Sequence, residues 1–355
     1  MNKNRDPYTS QFNKKESLFL SLFSKLTENL DCYPSPISNF RTRAEFGVYV
    51  EDSINFTMVK NNQNIYIDKL HICDEKINQI IKLLKENLIN GTEIKKKLFQ
   101  VEIQVSRNGE GMVTLIYHKS LDSNWIYEAK ILSSKIEASI IGRSKKQKLV
   151  IGKDFVTETY TSKNQTININ LYEQCFSQPN PYICDQMLTW INERKKSDLH
   201  VTELHCGIGT FTILLSKIYS KVLSTENSRP SIKALRKNLE FNRVQNVQFA
   251  RLSGLETLEA LNKKRDFERL RHIDLTSLKN DVLFLDPPRS GIDLMSLDLI
   301  KHLSFNKIIY LSCGFESFKS NLKELLTDYR VTKAAFFDQF PYTDLMETGV
   351  ILKRL

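Results

Sequence analysis

Two short stretches of the sequence end in a side chain that can act as a nucleophile or as an acid. The apolar run KIIYLS is followed by Cys313 and Gly314, and the run VLFL is followed by Asp286 in the segment DPPRSG. A cysteine in an apolar run usually packs as a small hydrophobic residue. As a thiolate, however, cysteine is a strong nucleophile. The role of Cys313 therefore depends on what the rest of the chain places beside it.

A glycine-rich turn follows another apolar segment. HVTEL leads into HCGIGTF, in which Gly207 and Gly209 let a ligand approach the backbone closely. Glu226 ends the next predicted strand, nineteen residues after Gly207, where a carboxylate can accept hydrogen bonds from ribose hydroxyls. A nicotinamide dinucleotide would need a third glycine where Thr212 stands. A nucleoside cofactor without phosphates, S-adenosylmethionine, fits this pattern better.

Asp286 is placed to take part in the same site. It follows an apolar strand, at the carboxyl edge where open α/β sheets bind ligands. Pro287 and Pro288 stop the strand and stiffen the backbone just after the carboxylate. A strand terminator alone would not require an aspartate. We therefore expect Asp286 to contact a ligand.

The spacing of apolar residues predicts an α/β fold. After residue 181 a helix is followed by five apolar strands with helical segments between them, which is typical of βαβ units and a mostly parallel sheet. The chain ends in two apolar stretches around a short polar loop, which predict an antiparallel hairpin on that sheet. The α/β domain is expected to span residues 166–355.

The first half of the chain has a different pattern. Leucines at helical spacing predict an amphipathic helix at 14–30, within a helical segment at 1–40. Residues 41–165 contain mainly strand patterns, with one helical pattern at 75–88. This part is expected to form a smaller β-rich domain.

Length, charge and cysteine content narrow the class of protein. A chain of 355 residues suits two domains, and the net charge of +10 favours a polyanionic partner. The six cysteines form no CxxC pair or Cys/His cluster, so we expect neither a disulfide framework nor a metal site. No segment has the pattern of a signal peptide or a membrane span. A cytoplasmic protein without a membrane partner is expected.

Several motifs, in chain order, resemble those of the S-adenosylmethionine-dependent RNA uracil-5-methyltransferases. They are LHCGIGTF, STENSRPSI, FLDPPRSGID, YLSCG and FDQFPYTDLMETGVIL. The likeness is strongest to the tRNA enzymes that methylate uridine 54 in the T-loop, and it extends upstream through SQPNPYICDQML and FRTRAEFGVY. It implies a class I, Rossmann-like methyltransferase domain beside a smaller RNA-binding domain. S-adenosylmethionine is then the methyl donor, the tRNA T-arm the partner, and a monomer the expected state.

The resemblance also assigns chemical roles. C5 of uracil is a poor nucleophile, so methylation there needs a temporary bond at C6, which the thiolate of Cys313 would form. A base must then remove the C5 proton, and the family's base corresponds to Glu347 in DLMETG. Asp286 is placed to contact either the cofactor or the target base. The residues expected to bind the cofactor are Gln178, His205, Gly207, Gly209, Thr210, Glu226 and Asp286.

RNA contacts are expected on both domains. A uridine inside folded RNA must be unstacked and swung outward, which costs roughly a few kcal/mol. Phe99 and His118 correspond to family positions that stack on displaced bases. The residues expected to contact RNA are Arg41, Arg43, Phe99, His118 and Arg289.

The chain departs from the family pattern at a few positions around the cofactor and the catalytic loop. These positions are His205, Ile208, Thr210, Gly314, Phe315 and Thr348. They bear on cofactor affinity and loop shape more than on the type of reaction, because the expected nucleophile and base are both present.

Two other functions fit parts of the same pattern. One is a ribosomal-RNA uracil-5-methyltransferase, although many of these enzymes carry a cysteine cluster for an iron–sulfur centre, and the sequence shows none. The other is a catalytically silent RNA-binding or chaperone protein on the same fold. We favour the tRNA enzyme.

Overall fold

The structure is a computed structural model and describes residues 6–50, 54–60, 63–88, 93–192 and 197–355. Its α-helices, in chain order, are α1 (Pro7–Phe23), α2 (Glu75–Leu88), α3 (Ser123–Ile136), α4 (Pro181–Ile191), α5 (Thr210–Ile218), α6 (Arg229–Phe241), α7 (Gly254–Leu261), α8 (Leu294–Leu303) and α9 (Phe315–Leu325). Its first strands are β1 (Leu30–Tyr33), β2 (Arg43–Val50), β3 (Ile54–Lys60), β4 (Gln63–Ile67), β5 (Leu98–Val105), β6 (Gly111–Tyr117), β7 (Ser139–Ser144) and β8 (Gln147–Ile151). The remaining strands are β9 (Phe155–Ser162), β10 (Gln165–Tyr172), β11 (Ser197–Leu204), β12 (Tyr219–Thr225), β13 (Val247–Ala250), β14 (Val282–Leu285), β15 (Lys307–Ser312), β16 (Tyr329–Phe337) and β17 (Glu347–Arg354).

The carboxyl-terminal half is organised around one large sheet. In the described ranges it has eight strands in the order β1-β16-β17-β15-β14-β11-β12-β13. Neighbours among β11 to β15 pair in parallel, as the alternation of strands and helices predicted. β17 lies antiparallel between β15 and β16, so the predicted terminal hairpin is confirmed. Helices α4 and α5 pack on one face of the sheet, and α1, α8 and α9 pack on the other.

The amino-terminal helix does not lie where the leucines predicted it. α1 begins seven residues earlier than the predicted 14–30, and the Asp6 carboxylate caps it. Its buried face carries Phe19 and Phe23, whereas Leu18 and Leu20 are exposed. The aromatic side chains, with the half-buried Leu22, therefore define the face that packs on the large sheet.

Residues 1–40 are also not purely helical. β1 pairs in parallel with β16 and extends the large sheet by one strand, with Leu30 beside Ala334. All four residues of β1 are half-buried, so the strand has no alternation that a sequence pattern would show. The first segment of the chain therefore packs with the last.

A second sheet forms the β-rich part. In the described residues it has the order β4-β3-β2-β5-β6-β7-β8, and α2 and α3 pack against it through a common core. The strand-rich pattern and the helix predicted at 75–88 are both found, whereas the second helix, α3, was not predicted. α3 nevertheless buries Trp125, Ala129, Leu132 and Ile136 at helical spacing.

The hairpin of β9 and β10 connects the two halves. Its residues Tyr160, Ile167 and Leu171 belong to the same apolar core as α4 and the large sheet. The predicted boundary between residues 165 and 166 falls within this hairpin, after the first residue of β10. The division of the chain into three parts stays a prediction. No helix of the described residues is long and apolar enough to cross a membrane.

An ion-pair network ties the β5–β6 loop to this hairpin and to α4. The Arg107 guanidinium donates to Glu158 Oε1 at 2.9 Å and to Asp185 Oδ2 at 2.6 Å, and it also donates to the Thr159 carbonyl. Glu158 is fully buried, and its burial raises the pKa of the carboxyl although Arg107 opposes the shift. Removing Arg107 alone would leave a buried carboxylate without its compensating charge.

We therefore expect Arg107→Met to lower the free energy of unfolding by about 3–5 kcal/mol. Urea denaturation followed by circular dichroism measures this change. Arg271→Met is the matched control, because Arg271 forms an exposed pair with Glu268 and should change stability by about 0.5 kcal/mol or less. Equal effects of the two substitutions would show that the network does not carry the predicted stability.

Candidate active site

Strand pairing brings the predicted nucleophile and base to one edge of the large sheet. β15 ends at Ser312, which pairs with Thr348 of the antiparallel strand β17. Continued by one residue, this register sets Cys313 opposite Glu347. Directly opposed residues of an antiparallel pair lie about 4.5–5.5 Å apart at Cα and project from the same face.

Asp286 reaches the same edge from the neighbouring strand. β14 pairs in parallel with β15, and Leu285 lies beside Tyr310. Asp286 is the next residue, so it shares a face with Leu311 and, by the alternation of the strand, with Cys313. The three candidate side chains therefore converge although they are far apart in sequence.

The surroundings of Cys313 keep its thiol protonated at neutral pH. The residue is partly exposed, and burial is the main cause that raises the pKa of the thiol to about 11. The charges of Glu347 and Asp286 raise this pKa further, whereas Arg289 lowers it. Glu347, Asp286 and Arg289 are thus the charged groups that act on the thiol. A thiol of this kind reacts only when its proton is removed.

Glu347 is the first residue of β17 and is almost fully buried, with 2% of its surface exposed. Burial, with a further contribution from Asp286, raises the pKa of the Glu347 carboxyl well above its usual range. Burial also raises the pKa of Asp286. Glu347 Oε1 has no hydrogen-bond partner in the described chain. Because a raised pKa makes a carboxylate a stronger base, Glu347 is suited to accepting a proton.

Gly314 is required by the loop that passes over the cysteine. A Cβ atom at this position would lie 2.2 Å from the carbonyl oxygen of Arg289. Ser317 donates from Oγ to that carbonyl at 2.7 Å and also to the Gly314 carbonyl at 2.9 Å. Gly314, one of the departures from the family pattern, thus lets the DPPRSG loop close over the end of β15.

The glycine turn after β11 leaves room for a ligand. Gly207 has a φ of 55°, and a Cβ atom there would meet no other atom within 4 Å. Glu226 lies beside this space, since its carboxylate accepts from the backbone N–H of Gly207 at 3.1 Å and of Ser228 at 2.7 Å. A carboxylate has about four acceptor positions, so two remain for ribose hydroxyls. Gly209 has a φ of 95° and packs against Leu235, which serves the turn itself.

A buried glutamate below this turn was not among the predicted site residues. Glu203 Oε2 accepts from the hydroxyls of Thr212 and Ser224, both at 2.6 Å, whereas Oε1 has no partner in the described chain. Burial raises the pKa of Glu203 to about 8 despite these hydrogen bonds. Thr212, which stands where a dinucleotide site has glycine, therefore orients an acid. Acids at this edge suit a cationic ligand, because positive charge favours their ionised forms.

Gln178 lies next to a second glutamine that sequence analysis did not single out. Gln339 Nε2 donates to Gln178 Oε1 at 2.8 Å, and both side chains are buried. Gln339 belongs to the FDQFPY motif, which was the only sequence signal for it. Thr210 is buried at the start of α5, and His205 is half-buried in the turn with a φ of 61°.

A cavity of about 310 Å³ opens at the same sheet edge. His205, Gly254, Pro288 and Asp293 are among the residues that line it. Burial lowers the pKa of His205, which favours the neutral form of its imidazole. The cavity lies on the face of the sheet opposite to Cys313, beside the glycine turn.

The predicted RNA contacts fall into two groups. Arg289 is exposed and close enough to Cys313 to affect its pKa, and Phe99 and His118 stack on each other with ring centroids 3.8 Å apart. Phe99 is half-buried and His118 exposed, so this pair offers an aromatic surface. In contrast, Arg43 donates to the Cys175 carbonyl and to Glu102, and Arg41 donates to a neighbouring carbonyl. The guanidinium groups of Arg41 and Arg43 thus form hydrogen bonds within the chain, and their role in binding RNA stays a prediction.

Comparison with known proteins identifies the family of this chain. The family model of tRNA (uracil-5-)-methyltransferase matches residues 7–355. The chain belongs to this family. It is 39% identical over 359 residues to a tRNA/tmRNA (uracil-C(5))-methyltransferase of Acinetobacter baumannii, with 98% of this chain and 99% of the relative covered. A protein of the same name from Colwellia psychrerythraea is 38% identical over 360 residues, with 98% of both chains covered.

A solved structure supports the fold of this family member. The tRNA (uracil-54, C5)-methyltransferase of Pyrococcus abyssi, in complex with S-adenosyl-L-homocysteine, superimposes with a TM-score of 0.73 at 20% identity. The alignment covers 97% of this chain and 83% of the archaeal one. The chain is thus a tRNA uracil-C5 methyltransferase with the expected α/β fold, and its methyl donor is S-adenosylmethionine. The described residues contain no group of His, Cys, Asp and Glu side chains arranged to hold a metal ion.

The raised pKa of Cys313 predicts how its reactivity depends on pH. With a pKa of about 11, the thiolate fraction rises about tenfold for each pH unit up to roughly pH 10. Alkylation of Cys313 by iodoacetamide, followed by peptide mass spectrometry, should therefore accelerate about tenfold per unit from pH 7 to pH 9. A short peptide with an ordinary cysteine is the control and should begin to level off near pH 8.5. A plateau for Cys313 below pH 9 would contradict the assignment.

Proposed function

We propose that this enzyme methylates C5 of uridine 54 in the T-loop of tRNA, through a covalent adduct of Cys313 that Glu347 resolves. The observation that carries the proposal is the register of β15 and β17, which sets the cysteine opposite the glutamate. The effects of Glu347 and Asp286 on the pKa of Cys313, and of Asp286 on the pKa of Glu347, support the same arrangement.

The first step would be addition of Cys313 to the uracil ring. A bond forms between Sγ and C6 while the thiol proton passes to Asp286, which leaves Glu347 free for the later step, and the electron pair of the C5–C6 double bond moves toward O4 to form an enolate. Asp286 and Glu347 are the carboxyl groups close to the sulfur. The enolate makes C5 nucleophilic.

S-adenosylmethionine would supply an electrophilic methyl group: as the methyl carbon bonds to C5, its bond to the sulfonium sulfur would break, and S-adenosylhomocysteine would leave with that electron pair. Glu347 then takes the proton from C5, the electron pair restores the C5–C6 double bond, and the Sγ–C6 bond breaks to release the cysteine. The high pKa of Glu347 suits this step, because a strong base is needed to remove a proton from carbon. Glu226, Glu203 and the Gly207 turn would hold the donor.

The target uridine would reach Cys313 by leaving the RNA stack. The aromatic pair of Phe99 and His118 offers a surface on which a displaced base can stack, and Arg289 places a cation beside the catalytic edge. We propose the T-arm of tRNA as the region bound. The names of the bacterial relatives include tmRNA, so a tmRNA transcript is a second substrate to test. The monomeric state also stays a prediction, which a measurement of molar mass by light scattering would test.

The proposed nucleophile predicts a specific loss of activity. We expect Cys313→Ala to reduce methyl incorporation from labelled S-adenosylmethionine by roughly three orders of magnitude or more, because no covalent adduct can form. Binding of an unmodified tRNA transcript, measured by filter retention, should change little. Cys32→Ala is the matched control, since Cys32 is also partly exposed but lies in β1. Retained methylation by the Cys313 variant would favour another mechanism.

The proposed target predicts which RNA is labelled. A tRNA transcript with cytidine in place of uridine 54 should accept no methyl group, because the uracil that the enzyme methylates is then absent. Mass spectrometry of nuclease fragments locates the methyl group in the unaltered transcript. Labelling of the cytidine transcript, or of a ribosomal RNA fragment in preference to tRNA, would contradict the proposed position or substrate.

A further inference from the structure

The loop that precedes Glu347 is fastened to the first helix of the chain. Lys15 Nζ, on α1, donates to Asp338 Oδ1 at 2.8 Å and to the Phe340 carbonyl at 2.9 Å. Gln11 Nε2 donates to the other carboxylate oxygen of Asp338, also at 2.8 Å. The side chains of Lys15 and Asp338 are 5% and 0% exposed. A buried ion pair thus joins residues that lie more than 300 positions apart.

The loop between β16 and β17, residues 338–346, is held in position at both of its ends. Asp338 follows Phe337, the last residue of β16, and Glu347 pairs with Phe337 at the start of β17. The backbone N–H of Asp338 donates to the Tyr33 carbonyl of β1, and Gln339 donates to Gln178. The loop therefore begins and ends at the pair of Phe337 and Glu347, and its first two residues, Asp338 and Gln339, are hydrogen-bonded to other parts of the chain.

Stability alone is a weak reason for such a pair. Desolvation of two charges often cancels their attraction, and apolar residues of similar volume can replace a buried ion pair without loss of stability. The lysine makes a directional contact that an apolar residue cannot make, because it bridges a carboxylate and a backbone carbonyl of the same loop. The contact defines a position for the loop.

We propose that Lys15, acting through Asp338, is a positioning residue that holds Glu347 in place for proton abstraction from C5. This inference rests on the proposed role of Glu347 as the base. Lys15 touches neither the cofactor site nor Cys313, so it acts through the loop.

The contact of Lys15 with Asp338 and the Phe340 carbonyl, here called the tether, should affect one chemical step more than the others. Cys313 is held by β15 and by the contact between Gly314 and the Arg289 loop, none of which involves α1. Addition of the thiol and transfer of the methyl group should therefore continue when the tether is cut. Removal of the C5 proton should slow, because a small displacement of a catalytic group costs up to about a hundredfold in rate. The covalent enzyme–RNA adduct should then accumulate.

The experiment compares Lys15→Met with Lys14→Met. Lys14 forms a pair with Asp344 of the same loop, but both side chains are exposed, at 77% and 91%, so its loss should have little effect. For Lys15→Met we expect turnover to fall about tenfold to a hundredfold and the fraction of enzyme bound covalently to RNA to rise. Lys14→Met should match the wild type in both measurements. Denaturing gels with labelled tRNA report the adduct.

Glu347→Gln separates failure of this inference from failure of the proposed function. This variant should trap the methylated adduct, and if it does not, the role of Glu347 as the base is wrong. If it traps the adduct but Lys15→Met behaves like Lys14→Met, the positioning role is overturned. A parallel loss of adduct and turnover in Lys15→Met would overturn it as well, because that result indicates a purely structural role.

A second variant keeps the test valid if Lys15→Met does not fold, which thermal unfolding monitored by circular dichroism shows. Asp338→Asn preserves the shape of the side chain and one acceptor for Lys15, but it presents an amide to Gln11 in place of an acceptor. It should raise the adduct fraction in the same direction by a smaller factor. An adduct fraction equal to that of the wild type would contradict the proposal.

Discussion

The antiparallel course of β17 is the constraint on which the active site depends. In a parallel sheet, each strand delivers only its last residue to the carboxyl edge, and a loop carries whatever follows. β17 runs the other way and therefore delivers its first residue, Glu347, to that edge. Neighbours on both sides hydrogen-bond to the strand, so the base is held by sheet geometry. The nucleophile, at the end of β15, is held by the same ladder.

This arrangement places several acids in a poorly solvated space. Glu203, Asp286 and Glu347 all have a raised pKa, and burial is the largest cause for each. Each of these carboxyls holds its proton more tightly in the folded chain than in the unfolded chain. As the pH rises above the unfolded pKa, ionisation therefore opposes folding, by up to about 1.4 kcal/mol for each unit by which the pKa is raised. A cationic methyl donor at the same edge would offset part of that cost. The site is thus matched to its cofactor by charge as well as by shape.

Sequence patterns predicted the elements whose apolar residues follow a regular period. Strands β11 to β15 and the terminal hairpin are examples, and the spacing of Gly207 and Glu226 indicated a nucleoside site from the residues alone. β1 was not predicted, because its four half-buried residues show no alternation of buried and exposed side chains and its partner strand lies some 300 residues away. The position of Glu347 came from family resemblance, since a glutamate in a loop has no pattern of its own. Gln339 and Lys15 were missed because their roles depend on contacts made only in the folded chain.

The acidity of the site also bears on how a basic protein selects its substrate. The chain carries a net charge of +10, yet the groups around Cys313 are mainly carboxyls. An RNA phosphate that approached this edge would lose its hydration in a poorly solvated space, at a large electrostatic cost, whereas a neutral uracil ring carries no charge to desolvate. The positively charged side chains must therefore attract the RNA phosphates outside the catalytic edge, while the edge itself admits only the uracil ring. Extrusion of the uridine is then an electrostatic requirement as well as a steric one.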